Sequence, residues 1–474
     1  MDRSAFLGAA AAAACTPFTA SAAEGVVAER CDRYLRALAA LGRFSGSVEV
    51  RRDGKLQFGG AYGSATLAPE RSCTASTQFR IASVSKMFTA FAALKLRDRG
   101  ALRLGDPICT YLDDCPPHWR PVTVAHLIHH TSGVPDYEEA LELESPAHIA
   151  FMRAPDAWRR IVERQRPLPL DFAPGTKYHY SNTGYVLLGM IVERAAAKPF
   201  GAFLRETIFA PAGMRDTGTI GFDEPRRPAL GYEPREIPWS RFLAGFRLAD
   251  VATAVPVLAL TPPEGDAGVF STAADLARWN DLMLRPDGTV VTAALVEEIF
   301  DGAGFGYGAG WMIGTADGRR RYRHTGELPG YLALTTLVPD ERSNIVVLTN
   351  WVRSRPSVVA EALAAISRGG SWDDPVSGTV VALSDAQKAR LAGRYRYPSG
   401  KVMTVSPDPL GLRAVIPGQY TAGLIPLSPT RFYFPLGDGT MTFTLGVGDR
   451  AERVVARYSS QDNPAVRIDD AAGA

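Results

Sequence analysis

The chain has little excess of charge of either sign. Its 52 Lys and Arg against 50 Asp and Glu leave a formal charge of +2, and neither sign forms a long run. That argues against a nucleic-acid stripe and against a polybasic membrane patch. Past the first residues there is no run of about 18 apolar residues, so no membrane span is expected. Cysteine is scarce, with five in 474 residues and no Cys-x-x-Cys pair, which gives no support to a zinc ribbon or a thioredoxin-like site. No Gly-x-Ser-x-Gly elbow occurs, so an α/β-hydrolase nucleophile is not expected. His126, His129 and His130 lack the carboxylate of a His-Glu-x-x-His metal motif. They are read as part of a helix ending at Ser132-Gly133, and no metal is assigned.

What is present suits a globular enzyme of two or more domains: 46% hydrophobic and 22% charged residues over 474 positions. Residues 1–22 have the layout of a signal peptide, with an alanine-rich run and a small-residue cleavage site at Ala20-Ser21-Ala22. Plain export ranks above lipidation at Cys15, and a periplasmic or secreted location is expected. Removal of that leader leaves Cys31, Cys73, Cys109 and Cys115 in an oxidising compartment. Cys109 and Cys115 bracket a short loop, which favours a local disulfide. A Cys31–Cys73 bridge has no support from the sequence.

The apolar spacing of residues 24–41 predicts a helix, and the stretches around Asp53-Gly54 predict a hairpin. A second helix is expected from Lys86 to about Arg99. Residues 222–266, rich in Pro and Arg, read as a long irregular excursion near a substrate cleft. From Tyr307 the pattern changes to strands joined by short turns, which implies antiparallel order, and Val358 to Ile366 closes with a helix. Residues 369–383 read as a linker with few apolar anchors. Residues 384–467 show short alternating stretches separated by turns, as expected of a small antiparallel barrel or sandwich.

Three short motifs stand out within this framework. Ser83 lies three residues before Lys86, the one lysine with that spacing. A serine hydroxyl becomes a nucleophile when a neighbour takes its proton, and burial beside cationic groups would push Lys86 towards the neutral amine that can do so. The bland reading is a capping serine followed by a solvated lysine. Tyr180 and Asn182 form a Tyr-x-Asn motif where a loop meets a helix, and His324-Thr325-Gly326 lies on a strand. Each motif is weak alone, and their order and context strengthen them.

The chain resembles the serine β-lactamase and penicillin-binding superfamily, in particular the class C-like branch with its D-stereospecific peptidases and esterases. The resemblance spans about residues 25–367 and rests on Phe79 to Lys86, His130 to Gly133, Tyr180 to Tyr185, Gly268 to Thr272 and His324 to Gly326. It implies an α/β (α+β) fold, an antiparallel sheet flanked by helices beside an all-α region, in residues 23–368. The C-terminal antiparallel β-barrel is similar to the lipocalin-like domain appended to some members.

By the same resemblance, Ser83 is acylated, Lys86 accepts its proton and Tyr180 shares that role. Asn182 holds a substrate amide or Lys86, while His324, Thr325 and Gly326 line the opposite wall and meet a substrate carboxylate. The backbone N–H groups of Ser83 and Glu327 supply the oxyanion donors. No cofactor is implied. The expected substrate is a small peptide, ester or β-lactam, and a D-stereospecific peptidase or DD-carboxypeptidase-like amide hydrolase leads the readings. β-Lactamase and carboxylesterase activities stay open, as does a non-catalytic penicillin or muropeptide sensor. His-Thr-Gly in place of Lys-Thr-Gly weighs against strong penicillin hydrolysis, because histidine lacks the fixed charge of lysine.

Overall fold

The computed structural model describes residues 22–139, 157–255 and 264–468. The signal-peptide reading of residues 1–22 lies outside this range except for Ala22, which begins the first helix. Helix α1 (Ala22–Ala40) leads into strands β1 (Gly46–Arg52) and β2 (Lys55–Tyr62), with Asp53 and Gly54 at positive φ in the turn between them. Helices α2 (Lys86–Asp98) and α3 (Asn182–Ala196) follow, then α4 (Ala273–Leu284). Strands β3 (Met312–Ala316), β4 (Arg319–Leu328), β5 (Tyr331–Val338) and β6 (Ser343–Thr349) precede α5 (Pro356–Ser367).

The six strands form one antiparallel sheet in the order β3-β4-β5-β6-β1-β2. The central strand β6 is buried throughout because both faces of the sheet are covered. Alternation along it sends Ile345 and Val347 into a core with α1 and α5. Val346 and Leu348 point the other way, into the larger core shared with α2, α3 and α4. The described residues between 81 and 217 contribute helices and loops, consistent with an all-α region beside the sheet. Within it Cys109 and Cys115 are joined as a disulfide, while Cys31 and Cys73 are buried and free.

Eight further strands, β7 (Gly393–Arg396), β8 (Val402–Asp408), β9 (Gly411–Ile416), β10 (Tyr420–Pro426), β11 (Arg431–Phe434), β12 (Gly439–Leu445), β13 (Ala451–Tyr458) and β14 (Gln461–Arg467), close a barrel in simple sequence order. Closure removes the exposed strand edges that an open sheet would leave. Tyr395, Met403, Phe432, Met441 and Phe443 pack into its core.

Two expectations need correction here. Residues 369–383 carry no helix or strand, yet they are anchored rather than loose. Trp372 packs on the α1–α5 core, Asp373 accepts two hydrogen bonds from Arg457, and Val376 and Val380 join a cluster with Leu243 and Tyr433. The 222–255 part of the expected excursion contains a two-stranded pair (Tyr232–Pro234 with Ala252–Ala254) and short helices at Trp239–Ala244 and Leu248–Val251. Its apolar side chains pack on Trp351 and on the barrel. Short amphipathic elements without a sustained period escape a reading based on periodicity.

Candidate active site

Ser83 lies in a single 3-10 turn, Ala82–Ser85, that feeds directly into α2. Ala82 adopts φ 49°, a left-handed conformation that costs a non-glycine residue about 1–3 kcal/mol and is tolerated where the surroundings impose it. Strand β4 supplies one such constraint. A Cβ at Gly326 would lie 2.1 Å from the Ile81 carbonyl oxygen, so only glycine lets the strand approach the Ser83 turn this closely. On the other side, Ser85 Oγ accepts the Val269 N–H at 3.0 Å. Ser83 is partly exposed, and its hydroxyl accepts from Lys86 Nζ at 3.1 Å. Ile81 and Ser85, not Ser83, occupy the cap positions of the turn and of α2, and Lys86 is buried rather than solvated, so the bland capping reading of Ser83 fails.

Lys86 is fully buried. Its Nζ donates to Ser83 Oγ, to Asn182 Oδ1 at 2.7 Å and to the Asp266 carbonyl at 3.2 Å. These three acceptors match the three donors of an ammonium group. Burial pushes its pKa down, but interactions with Tyr180, Asp266 and Glu138 outweigh burial and the net direction is up. This corrects the expectation of a lysine driven towards neutrality: its close neighbours are acceptors and acids rather than cations.

Asn182 begins α3 behind the cap Ser181, whose hydroxyl accepts the Gly184 N–H. Its backbone and side-chain N–H groups both donate to Asp136 Oδ2, which turns Oδ1 towards Lys86. Tyr180, just before the cap, is partly exposed, and Lys86 Nζ lies 4.9 Å from its ring centre. His130 backs Tyr180, with ring centres 4.3 Å apart, and its Nδ1 accepts the Ser181 N–H at 3.0 Å. The histidine cluster is thereby accounted for: His126 closes a capping box with Thr123, and His129 meets the Tyr307 carbonyl.

His324 is brought to the same place but faces inward. It is fully buried, with Nδ1 2.6 Å from the Thr325 carbonyl and Nε2 2.9 Å from the Tyr307 hydroxyl. The carbonyl can only accept, so Nδ1 carries the hydrogen and Nε2 accepts from Tyr307. Burial, reinforced by the charge of Lys86, holds its pKa down to about 3. The ring expected to meet a substrate carboxylate is therefore neutral and enclosed, whereas Thr325 and Glu327 are exposed. Sequence reasoning missed Asp136 and Tyr307, which lie outside the three motifs. Asp266 also lies outside those motifs, and His130 is read from sequence only as part of a helix.

Serine and lysine one turn apart thus stand against a Tyr-x-Asn helix start and the edge of an antiparallel sheet. The Beta-lactamase family profile matches residues 31–369, and the chain belongs to that family. It is 28% identical to penicillin-binding protein 4* of Bacillus subtilis over 443 residues, covering 90% of this chain and 95% of that protein. It is 29% identical to D-aminopeptidase of Brucella anthropi over 374 residues, 74% of this chain and 67% of that one. Among solved structures, the octameric penicillin-binding protein homologue of Pyrococcus abyssi shares the fold at TM-score 0.63 and 22% identity, covering 93% of this chain and 99% of that one. D-amino acid amidase of Ochrobactrum anthropi, complexed with D-phenylalanine, aligns at TM-score 0.59 and 23% identity over 73% of this chain and all of that one. Among the described residues no helix is long and apolar enough to cross a membrane.

Proposed function

We propose that this chain is an exported serine hydrolase that cleaves amides of D-amino acids through an acyl-enzyme, preferring substrates with a free amino group. In the form of the site that has first lost one proton from the Lys86–Tyr180 pair to solvent, Ser83 Oγ attacks the substrate carbonyl carbon and its own proton passes to that pair. The C–N bond then breaks, and that proton leaves with the amine. Water attacks the Ser83 ester, delivers a proton back to the site and releases the acid. Asn182 orients Lys86, and the N–H groups of Ser83 and Glu327 hold the developing oxyanion. The second donor is supported by pairing along β4: β3 covers only Arg319 to Arg323, which leaves the edge beyond His324 free of that partner. Such a donor is worth roughly 3–4 kcal/mol.

The observation that carries the choice of substrate is the charge of the third-motif wall. His324 is neutral and buried, while Glu138 and Glu327 are exposed and interact electrostatically with each other, Glu138 also with Lys86. Carboxylates at the mouth attract an ammonium group and repel the C-terminal carboxylate of a DD-carboxypeptidase substrate or a penicillin. The names of the D-aminopeptidase and D-amino acid amidase relatives point the same way. The test compares D-alanine p-nitroanilide, its N-acetyl form, the L-isomer and a diacetylated Lys-D-Ala-D-Ala peptide. Fastest turnover of the free D-amine is expected; equal or faster cleavage of the N-acetyl form or the tripeptide contradicts the reading.

The proposed division is a hydrolase domain at 23–368, a strap at 369–383 and a barrel at 384–467. Eight antiparallel strands in sequence order support a lipocalin-like topology for the barrel. With bulky side chains filling its core, we give it a structural rather than a ligand-carrying role.

A further inference from the structure

The motifs do not use the acid that lies behind the catalytic lysine. Asp266 belongs to the short segment Glu264–Ala267, pressed onto α3 so closely that a Cβ on Gly265 would lie 2.1 Å from the Tyr185 carbonyl. Its backbone carbonyl accepts from Lys86 Nζ, and its side chain is almost completely buried. Carboxylate Oδ2 accepts the Tyr137 hydroxyl at 2.9 Å, while Oδ1 is buried without a hydrogen-bond partner. Tyr137 is held in turn by its backbone N–H, which donates to Thr183 Oγ1 on α3. Evolution or chance has thus placed a carboxyl with half its acceptor capacity unmet within electrostatic reach of Lys86, where an apolar residue would avoid the desolvation cost.

We propose that Asp266 is a positioning residue that tunes the basicity of the Ser83 site through Lys86. This rests on the reading of Ser83 and Lys86 given above. An ionised Asp266 adds a negative charge behind the site and raises the affinity of Lys86 for protons. A protonated Asp266 withdraws that charge and lowers it. Burial pushes the Asp266 carboxyl up to about 7, against the opposing pull of Lys86, so its change of charge falls near neutral pH. The charged and titratable groups facing it among the described residues are Lys86 on α2 and Asp136, Tyr137 and Glu138 on the loop that follows the helix Val124–Ile128. Tyr185 of α3 is also packed there through its backbone.

The test measures the second-order rate of Ser83 modification by a fluorophosphonate from pH 6 to 11, a window that reaches the raised titration of Lys86, with the rate of D-alanine p-nitroanilide cleavage in parallel. Asp266→Asn keeps an oxygen to accept the Tyr137 hydroxyl but removes the charge. The acid limb of both profiles is expected to move to lower pH by about one unit. Tyr137→Phe removes a hydrogen bond that favours the ionised carboxyl, and a smaller shift in the same direction is expected. If Asp266→Asn does not fold, Tyr137→Phe decides. Folded variants whose acid limb stays at the wild-type position, whatever their absolute rates, overturn the proposal. A Ser83→Ala protein that still reacts at the wild-type rate overturns instead the reading of the nucleophile.

Discussion

His324 shows how one side chain changes a charge argument. From sequence it is a titrating wall residue, partly charged near neutrality. In the fold it is a dry strut that accepts from Tyr307 and donates to Thr325. Burial lowers the proton affinity of both His324 and His130 in the native state, so between their depressed values and about 6.5 the unfolded chain binds more protons. Stability from these groups is therefore complete above about pH 6.5 and lost as pH falls, by up to about 1.4 kcal/mol per pH unit for each histidine. His324→Gln, which retains an acceptor for Tyr307, is expected to start from a lower stability but lose less of it between pH 6.5 and 5. Urea denaturation at several pH values measures this. Parallel curves for variant and wild type would contradict the assignment of a buried, neutral His324.

At the scale of elements, the proposed mechanism requires the close approach of β4 to the Ser83 turn. Gly326→Ala puts a methyl group into the Ile81 carbonyl, and the strand must retreat from the turn. Misplacement by about 1 Å costs roughly 10²-fold in rate, so a fall of that order in kcat/KM is expected while far-ultraviolet circular dichroism stays native. Wild-type kcat/KM would show that the approach does not matter. This dependence also marks what the sequence can convey. Ser83, Lys86, Tyr180 and Asn182 were legible because local spacing fixes them on turns and helix starts, and the hairpin, α2 and the late strands followed from period and turn residues. Asp136 and Tyr307 were not, since each acts through a partner about 46 or 17 residues away, and a single sequence carries no sign of that pairing. Lys86 was placed correctly but given the wrong charge tendency, because its acidic neighbours come from distant segments.

For the whole molecule, the barrel and the hydrolase core are fastened by a buried charged joint. Arg43, after α1, lies 4.1 Å from the Phe242 ring centre, donates to the Phe242 carbonyl and pairs at 3.8 Å with Asp438 in the β11–β12 turn. Tyr433 donates to the same carboxylate at 2.7 Å, and Arg355 at the start of α5 donates to the Pro435 and Leu436 carbonyls. Asp438→Ala leaves Arg43 buried without its counter-charge, a change that costs about 3–5 kcal/mol. Chemical denaturation is expected to show a loss of that size; a loss below about 0.5 kcal/mol, typical of an exposed site, would mean the joint carries no load. The 222–255 segment lies between barrel and sheet, and Tyr232 in it touches Trp351 just beyond β6. Loosening the joint is therefore expected to reach the sheet as well as the barrel.

The most direct test of the account is intact-mass analysis and peptide mapping of the purified protein after reaction with a fluorophosphonate and, separately, with a labelled β-lactam. The account predicts a single fluorophosphonate adduct on the peptide that contains Ser83, abolished in Ser83→Ala, with weaker or slower labelling by the β-lactam. An adduct at another residue, or equal labelling of wild type and Ser83→Ala, would contradict it.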